Sequence, residues 1–253
     1  MKIIGLPNIG NTCFINSVLQ CFIYTHDFQD IIRNSEQLEL KELIKLVNNE
    51  PGTFEIKKFI DSFEQFQRNQ QHDAHEFITI LLDKITTKDN FKIYHGKTNT
   101  VIQCETCTTK KNVIEDFNSI NLNIHHDIIT AFTDYLKSEL QDDPNNLYFC
   151  ETCKSNTVSK KKIVLETLPK HLILVIKRYD HSHTNIENIN KSLLIREHEI
   201  VKEYILVSII NHYGNLYNGH YTATLVDKNV SIDDSTQTQI PLNPYILFYS
   251  LKE

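Results

Sequence analysis

Two pairs of cysteines constrain the fold of this chain more than any other feature of its sequence. Each pair is a C-x-x-C turn, and the four residues are Cys104, Cys107, Cys150 and Cys153. A tight C-x-x-C turn presents two thiolates to one side, so two such turns complete the tetrahedral shell of a Zn²⁺ ion. Redox or disulfide chemistry is the alternative, but a thioredoxin-like site uses a single C-x-x-C. We therefore expect one structural zinc per chain, no catalytic cofactor, and ordered secondary structure between the two turns.

Net charge and hydropathy argue against two classes of partner. The 253 residues carry 26 basic and 32 acidic side chains, for a net charge of −6, and only four of the basic residues are arginine. That balance disfavours binding to a nucleic-acid backbone. The longest aliphatic run, residues 172–176, is far shorter than the roughly 20 residues of a membrane helix, and the amino terminus has no signal-peptide core. We expect no nucleic-acid partner, no membrane span, and a reducing intracellular location in the cytoplasm or nucleus.

The apolar pattern changes near residue 91 from helical spacing to short strand-like segments. The pattern predicts a helical region over 1–92, a zinc-binding region over 93–168 and a β-rich region over 169–253, within one domain spanning 1–253. It also predicts one more helix at about 128–140. The helical stripes are Ile15, Val18, Leu19, Phe22; Leu40, Leu43, Ile44, Val47; Ile56, Phe59, Ile60, Phe63; and Ala74, Phe77, Ile78, Leu81, Ile85.

The two remaining cysteines have different expected roles. Cys21 belongs to the first apolar stripe, and we interpret it as a small buried residue. Cys13 begins that stripe, after Gly10-Asn11-Thr12, where capping residues start a helix. The unpaired N–H groups and the positive dipole at a helix start stabilise a thiolate. Cys13 is therefore the candidate nucleophile.

A thiolate nucleophile needs a general base and a group that orients the base. His220 follows Asn218-Gly219 and opens an apparent strand that turns at Asp227-Lys228 and returns to Asp233 and Asp234. A hairpin centred between Val226 and Asp227 places Asp233 directly across from His220, within reach of the imidazole. Asp234 then points to the other face, and a slip of one residue exchanges the two. We expect Asp233 to orient His220.

Five segments of the chain resemble the ubiquitin-specific proteases. Residues 5–20 resemble their cysteine box and residues 217–234 their histidine box. Residues 70–77 match the family's intermediate helix motif, residues 168–179 its central strand and residues 245–249 its closing strand. All five segments occur in the family's order along the chain. The resemblance implies an α+β, papain-like fold with a helical thumb (1–92), zinc-bound β fingers (93–168) and a β palm (169–253). It implies a deubiquitinating cysteine peptidase that hydrolyses the (iso)peptide bond after the carboxyl-terminal glycine of ubiquitin.

The resemblance also implies roles for individual residues. Cys13 is the nucleophile, His220 the base, Asp233 the third catalytic residue and Asn8 the donor to the oxyanion. Asp234 matches the following acid, which assists the oxyanion region.

Substrate contacts follow from the same comparison. The carboxylates of Asp73 and Glu76 are candidates to pair with arginines of the ubiquitin tail, with ordinary helix-start acids as the alternative interpretation. Gly219 and Tyr221, which flank the catalytic histidine, are expected to contact the substrate, and Gly219 is expected to let the substrate backbone approach. In one departure from the family, Asn229 occupies a position that is usually aromatic, and the chain has no tryptophan.

Two other functions remain open from the sequence. The chain could process another ubiquitin-like modifier with a diglycine end, or it could be a non-catalytic, zinc-stabilised scaffold that binds ubiquitin. The scaffold is disfavoured because competent side chains occupy every reactive position. The expected partners are ubiquitin and ubiquitinated proteins, the expected state is a monomer, and an activating partner is left open.

Overall fold

The computed structural model describes residues 3–36, 40, 42–43, 45, 48, 56–66, 70–178, 188–215 and 218–252. Ile44 and Val47 of the apolar stripe expected over 40–47 lie outside these residues, as do Tyr179 and Tyr217 of the motif segments, while Leu40 and Leu43 of that stripe are buried.

Six helices have bounds within the described part of the chain, and five of them fall within the first 94 residues. The sixth is the helix expected at about 128–140, which is helical only to Tyr135. The prediction is wrong beyond that point because residues 139–141 pair as a strand with residues 159–161. None of the described helices is long and apolar enough to cross a membrane. The helices are α1 (Cys13–Phe22), α2 (His26–Arg33), α3 (Ile56–Asp61), α4 (Ala74–Ile85), α5 (Phe91–Tyr94) and α6 (Ile128–Tyr135).

A small antiparallel sheet contains the segments on either side of the first cysteine pair. Its four strands run in the order β2-β1-β7-β4. A separate two-stranded hairpin, β5-β6, carries the second cysteine pair at its turn. The strands are β1 (Gly96–Cys104), β2 (Lys110–Phe117), β4 (Glu139–Gln141), β5 (Tyr148–Cys150), β6 (Ser155–Thr157) and β7 (Ser159–Thr167).

The remaining eight strands form one larger sheet. Seven of them run in the order β13-β12-β11-β10-β14-β8-β3, and β9 pairs with the first half of β10. Strand β3 comes from the middle of the zinc-binding region and pairs parallel with β8. The strands are β3 (Ile120–Leu122), β8 (His171–Ile176), β9 (Ser192–Glu197), β10 (Ile200–Gly214), β11 (Gly219–Leu225), β12 (Val230–Asp233), β13 (Thr236–Thr238) and β14 (Pro244–Leu251).

The larger sheet is buried on both faces, which explains its continuous apolar runs. Along β8, Ile173 and Val175 face the core under the helices, while Leu172 and Leu174 face a second core that includes α6. Helix α1 packs against β11 and α4, and all ten of its residues are buried. The first helix is therefore fixed against the strand that follows Asn218.

Candidate active site

Cys13 is the first residue of α1, so the predicted helix start is confirmed. The preceding turn contains Gly10, with φ 112°, and Asn11, with φ 54°. This left-handed turn directs the chain into the helix after Thr12, the N-cap residue. The Cys13 side chain is 5 % exposed, and it lies at the positive end of the helix dipole.

His220 is the second residue of β11 and meets Cys13 where α1 and β11 pack together. A hydrogen bond with the Cys13 side chain, followed by one with Asp233, raises the pKa of His220 to about 9 against the opposing effect of burial. The imidazole Nε2 lies 2.6 Å from Asp233 Oδ1, which leaves Nδ1 for the thiol.

The hairpin that joins His220 to Asp233 has a different register from the expected one. Leu225 pairs with Val230 and Ala223 with Ile232, so the strands are offset by two residues from a hairpin centred between Val226 and Asp227. The loop has four residues rather than two, and Asn229 ends it with φ 50°. An offset of two keeps every side chain on its expected face. Asp233 therefore still reaches His220, as a diagonal rather than a direct neighbour.

Asp234 connects the chain before the nucleophile to the end of β12. Its Oδ2 accepts a hydrogen bond from Asn8 Nδ2 at 3.0 Å, and its Oδ1 accepts one from Asn16 Nδ2 at 2.7 Å. Its carbonyl accepts the N–H of Leu6 at 2.9 Å. Adjacent aspartates thus contact different partners: Asp233 contacts the imidazole, and Asp234 contacts one amide before α1 and one within it.

The Asn8 side chain is held at both ends. Its Oδ1 accepts the backbone N–H groups of Gly10 at 3.1 Å and Thr12 at 3.2 Å, while Nδ2 donates to Asp234. An amide nitrogen carries two hydrogens. The second N–H of Asn8 has no acceptor among the residues that the structure describes.

The two acidic residues at the start of α4 differ in whether their carboxylates already have hydrogen-bond partners within the chain. Asp73 is the N-cap of α4: its Oδ1 accepts the His75 N–H at 2.6 Å, and its Oδ2 accepts the Tyr245 hydroxyl at 2.7 Å. Glu76 lies in the first turn and is exposed. Asp73 therefore has the structural role that the sequence left open, whereas the Glu76 carboxylate is accessible to a ligand.

Gly219 is required by a neighbour that sequence reasoning did not identify. A Cβ at this position would overlap the imidazole of His212, chiefly at Nε2. The Gly219 N–H donates to Gln71 Oε1 at 2.9 Å and so links β11 to the segment before α4. Tyr221 is 7 % exposed and packs on His212, with ring centroids 4.5 Å apart. Tyr221 thus lies beneath the site rather than at its surface.

Sequence reasoning missed three residues that organise the site: Asn16, His212 and Tyr245. Asn16 lies three residues after Cys13 on α1, a spacing that places both on one helix face, so a local signal existed. His212 is buried, and burial lowers its pKa to about 4. His212 and Tyr245 lie on strands β10 and β14, and only the tertiary fold brings them beside Gly219 and Asp73.

The four paired cysteines lie close together at the tip of the small sheet. Their sulfur atoms all lie within 4.8 Å of one another, and all four are free thiols. The two turns share one conformation: the Thr108 N–H donates to the carbonyl of Cys104, the Lys154 N–H donates to that of Cys150, and both donors have left-handed φ, 60° and 53°.

This cluster fits a tetrahedral zinc ion. A Zn–S bond of about 2.3 Å implies sulfur–sulfur distances of about 3.8 Å in a regular tetrahedron. The separations are 3.5 Å between Cys107 and Cys150 and 3.9 Å between Cys104 and Cys153. Four thiols at this spacing, without a disulfide, favour metal binding over redox chemistry.

Comparison with known families matches nearly the whole chain. The family model described as "Ubiquitin carboxyl-terminal hydrolase" covers residues 4–249. Ubiquitin carboxyl-terminal hydrolase 23 of Arabidopsis thaliana is 25 % identical over 97 % of this chain and 35 % of its own length. Ubiquitin carboxyl-terminal hydrolase 5 of Schizosaccharomyces pombe is 28 % identical over 88 % of this chain and 23 % of its own length. The chain thus spans about a third or less of these two relatives.

Solved structures share the fold. A yeast SAGA DUB module structure matches with a TM-score of 0.84 and 22 % identity, covering 99 % of this chain and 69 % of the other. The SAGA Ubp8/Sgf11/Sus1/Sgf73 DUB module bound to ubiquitin aldehyde matches with a TM-score of 0.81 and 21 % identity, covering 99 % and 70 %. The α+β, papain-like fold expected from the sequence is thereby confirmed.

Proposed function

This chain belongs to the ubiquitin carboxyl-terminal hydrolase family, and we propose on that basis that it is a cysteine-type deubiquitinating peptidase. Its reaction is the hydrolysis of the (iso)peptide bond after the carboxyl-terminal glycine of ubiquitin. The observation that carries the proposal is the contact of His220 with both Cys13 and Asp233, because a thiol, a base and an orienting carboxylate are the parts that thiol catalysis needs.

In the proposed mechanism, the Cys13 sulfur attacks the carbonyl carbon of the terminal glycine of ubiquitin. The bond between that carbon and the lysine nitrogen then breaks, and His220 gives its proton to the departing amine. A water molecule, deprotonated by His220, attacks the thioester, which releases the ubiquitin carboxylate and regenerates the thiol. Asp233 fixes the orientation of the imidazole throughout.

Asn8 is proposed to stabilise the tetrahedral intermediate. Its free Nδ2 hydrogen donates to the oxygen on which negative charge develops. Donors of this kind contribute most when they are fixed in advance. The bonds from Asn8 to Asp234, Gly10 and Thr12 support such preorganisation, so Asp234 acts through Asn8 as a positioning residue.

Substrate recognition is proposed to involve the start of α4 and the start of β11. Glu76 presents an exposed carboxylate that suits an arginine of the ubiquitin tail. Gly219, next to His220, presents a backbone without a side chain to the substrate. Asp73 and Tyr221 are proposed to support Glu76 and Gly219 from beneath. The Asp73 side chain contacts Tyr245, and the Tyr221 ring packs on His212.

A structural zinc is proposed at Cys104, Cys107, Cys150 and Cys153. It would cross-link the β1-β2 turn to the β5-β6 turn, and it takes no part in the reaction. The thumb (1–92), fingers (93–168) and palm (169–253) of one catalytic domain belong to the same proposal. An intracellular location is supported by six free thiols among the described residues.

A ubiquitin that carries a carboxyl-terminal electrophile tests the proposal directly. The chain should become covalently labelled, and peptide mapping should find the adduct on Cys13. Cys13→Ala should abolish labelling, while Cys21→Ala, a change at the other end of α1, should retain it. Labelling that persists in Cys13→Ala would remove the assigned nucleophile.

Parallel probes identify the modifier and the need for a partner. Probes built on other ubiquitin-like modifiers with a diglycine end should react more slowly than the ubiquitin probe. The related Ubp8 occurs in a module with Sgf11, Sus1 and Sgf73, so an activating partner is part of the proposal for this chain. A linkage panel of ubiquitin dimers, treated with the chain alone, measures the activity that remains without a partner.

A further inference from the structure

Strand β2 leaves one long edge open. It is the end strand of the small sheet, paired with β1 on one side, and no described strand pairs with its other side. Its eight residues, Lys110–Phe117, contain no proline, and their side chains are exposed or half-buried. At about 3.4 Å per residue the edge is roughly 27 Å long. An open edge of this length is a template for another strand.

The charges on β2 are separated by sign along the strand. Lys110 and Lys111 stand at its start, while Glu115 and Asp116 stand near its end. Asp116 already contacts Lys97 at 2.6 Å on the exposed surface. Neither lysine, nor Glu115, makes an ion pair within the described part of the chain. Lysines on an edge ordinarily discourage pairing, but here each basic position has an acidic counterpart on the same strand.

We propose that this edge pairs antiparallel with β2 of a second copy of the chain. In a register centred on Val113, Lys111 lies opposite Glu115 of the second copy, and Lys110 lies opposite Asp116 of the second copy. Because side chains alternate between faces, each pair has both members on one face. The two-fold axis repeats each pair, giving four opposite-charge contacts across one strand pair.

The charge pattern selects this arrangement over others. In a parallel, in-register pairing, the lysines would face lysines and the acids would face acids, which is unfavourable for directly opposite residues. The antiparallel register also places Val113 against itself and Ile114, now 61 % exposed, beside Asn112 of the second copy. An isologous contact of this kind closes on itself as a dimer.

The joined sheet would run β4-β7-β1-β2-β2-β1-β7-β4. The active-site residues Cys13 and His220 lie on or beside the larger sheet, so this inference goes beyond the proposed activity and does not depend on it. It departs from the monomer expected from the sequence. A single strand edge is smaller than the roughly 800 Å² per partner of a standard stable interface. We therefore expect a reversible dimer whose population rises with concentration and falls with salt.

Sedimentation analysis of the full chain, with zinc bound, tests the inference. Wild-type protein should approach the dimer mass as concentration rises, more readily at low ionic strength. The paired change Lys110→Glu with Lys111→Glu should weaken dimerisation by about tenfold or more, because four attractive contacts become repulsive. Glu115→Lys with Asp116→Lys should do the same. An equimolar mixture of the two variants should form a heterodimer again.

A matched control variant distinguishes an effect of charges on the β2 edge from an effect of the net charge of the whole chain. Lys160→Glu with Lys162→Glu makes the same change in net charge on two exposed positions of β7, an inner strand, and should leave dimerisation intact. Circular dichroism and zinc content establish that each variant is folded. A wild-type chain that stays monomeric at every concentration would overturn the inference. So would a dimer that is indifferent to both charge reversals, or a mixture of the two that stays monomeric.

Discussion

His220 and Asp233 share a 2.6 Å hydrogen bond across the β11-β12 hairpin, from diagonal rather than directly opposite positions. Asp233 lies at the last position of β12, and His220 lies at the second position of β11. The bond therefore spans the open end of the hairpin, which faces the start of α1. Here the imidazole meets the Cys13 sulfur.

Replacing Asp233 should disturb His220 without unfolding the protein. Asp233→Asn keeps the size of the side chain but removes the negative charge, so the pKa of His220 should decrease. We expect turnover to fall on the order of 10²-fold, the scale of a misoriented acid–base group. Nuclear magnetic resonance of the imidazole and steady-state kinetics measure the two effects. Asp234→Asn is the matched control, because Asp234 contacts Asn8 and Asn16 instead; an equal decrease in the pKa of His220 in both variants would contradict the division of roles.

The pH dependence follows from the raised pKa of His220. The folded state holds this proton up to about pH 9, whereas an unperturbed histidine releases it near 6.5. Because the pKa is higher in the folded state, the imidazolium stabilises the fold fully below about pH 6.5, and this contribution disappears as the pH rises through 9. Activity should also decline on the alkaline side near pH 9, since the leaving amine then lacks its proton donor.

Urea unfolding at several pH values checks the stability part of this prediction. The difference in unfolding midpoint between the wild type and His220→Gln should shrink between pH 6.5 and 9. Cys13→Ala should lower the pKa of His220 as well, because the bond to Cys13 is the largest cause of the shift. A wild-type imidazole that titrates near 6.5 would show that these contacts do not form in solution.

The sequence predicted the parts of the site that depend on local signals. Cys13 follows a glycine-asparagine turn that starts a helix, so its position at the mouth of α1 could be foreseen. The contact between His220 and Asp233 could also be foreseen, but its register could not. The loop of that hairpin is four residues long, and it ends at Asn229 in a left-handed conformation that asparagine tolerates but does not require.

Contacts between distant segments were beyond sequence reasoning. The Asp73 carboxylate faces Tyr245, which is 172 positions away, and no local pattern pairs them. Helical spacing continues past Tyr135, but residues 139–141 pair with β7, a tertiary contact that overrides the local helical pattern. The two cysteine turns were predictable because each turn is local, and the four thiols lie together at a spacing that one metal ion would require.

Asn8 should matter for catalysis more than for binding. Asn8→Ala removes the free donor, and the loss of one oxyanion donor costs about 10²- to 10³-fold in kcat. KM should change little, because the bond strengthens only as charge develops. Asp234→Ala should give a smaller loss of kcat through a misplaced Asn8, together with a lower Tm because the Asn16 amide loses its carboxylate partner. If Asp234 acts only through Asn8, the double variant should be no slower than Asn8→Ala; losses that multiply would point to an independent role.

Removing the metal should collapse the tip of the small sheet first. We expect one zinc per chain by elemental analysis. Cys150→Ser or a strong chelator should lower the Tm, because zinc binding contributes to folding in small sites of this kind. Cys21→Ala, which changes a buried thiol outside the cluster, should keep the full zinc content. A wild-type chain without metal and with disulfides among the four cysteines would favour redox chemistry.

Glycine at position 219 has two possible explanations, packing against His212 and access for the substrate backbone, and substitutions can distinguish them. A methyl group at this position would overlap the His212 imidazole. That ring cannot easily move, because it packs on Tyr221 and near Tyr245. Gly219→Ala should therefore destabilise the fold by about 1–3 kcal/mol through overpacking. Since His220 is the next residue, kcat/KM should also fall.

The double variant Gly219→Ala with His212→Ala distinguishes the two explanations. Removing the imidazole makes room for the methyl group, so Tm should recover relative to Gly219→Ala alone. If packing is the whole reason for glycine, activity should recover to the level of His212→Ala. If stability recovers while KM for ubiquitin substrates stays raised, the methyl group obstructs the substrate backbone itself. Thermal unfolding and steady-state kinetics on the same four proteins decide between them, and a Gly219→Ala chain as stable as the wild type would contradict the packing explanation.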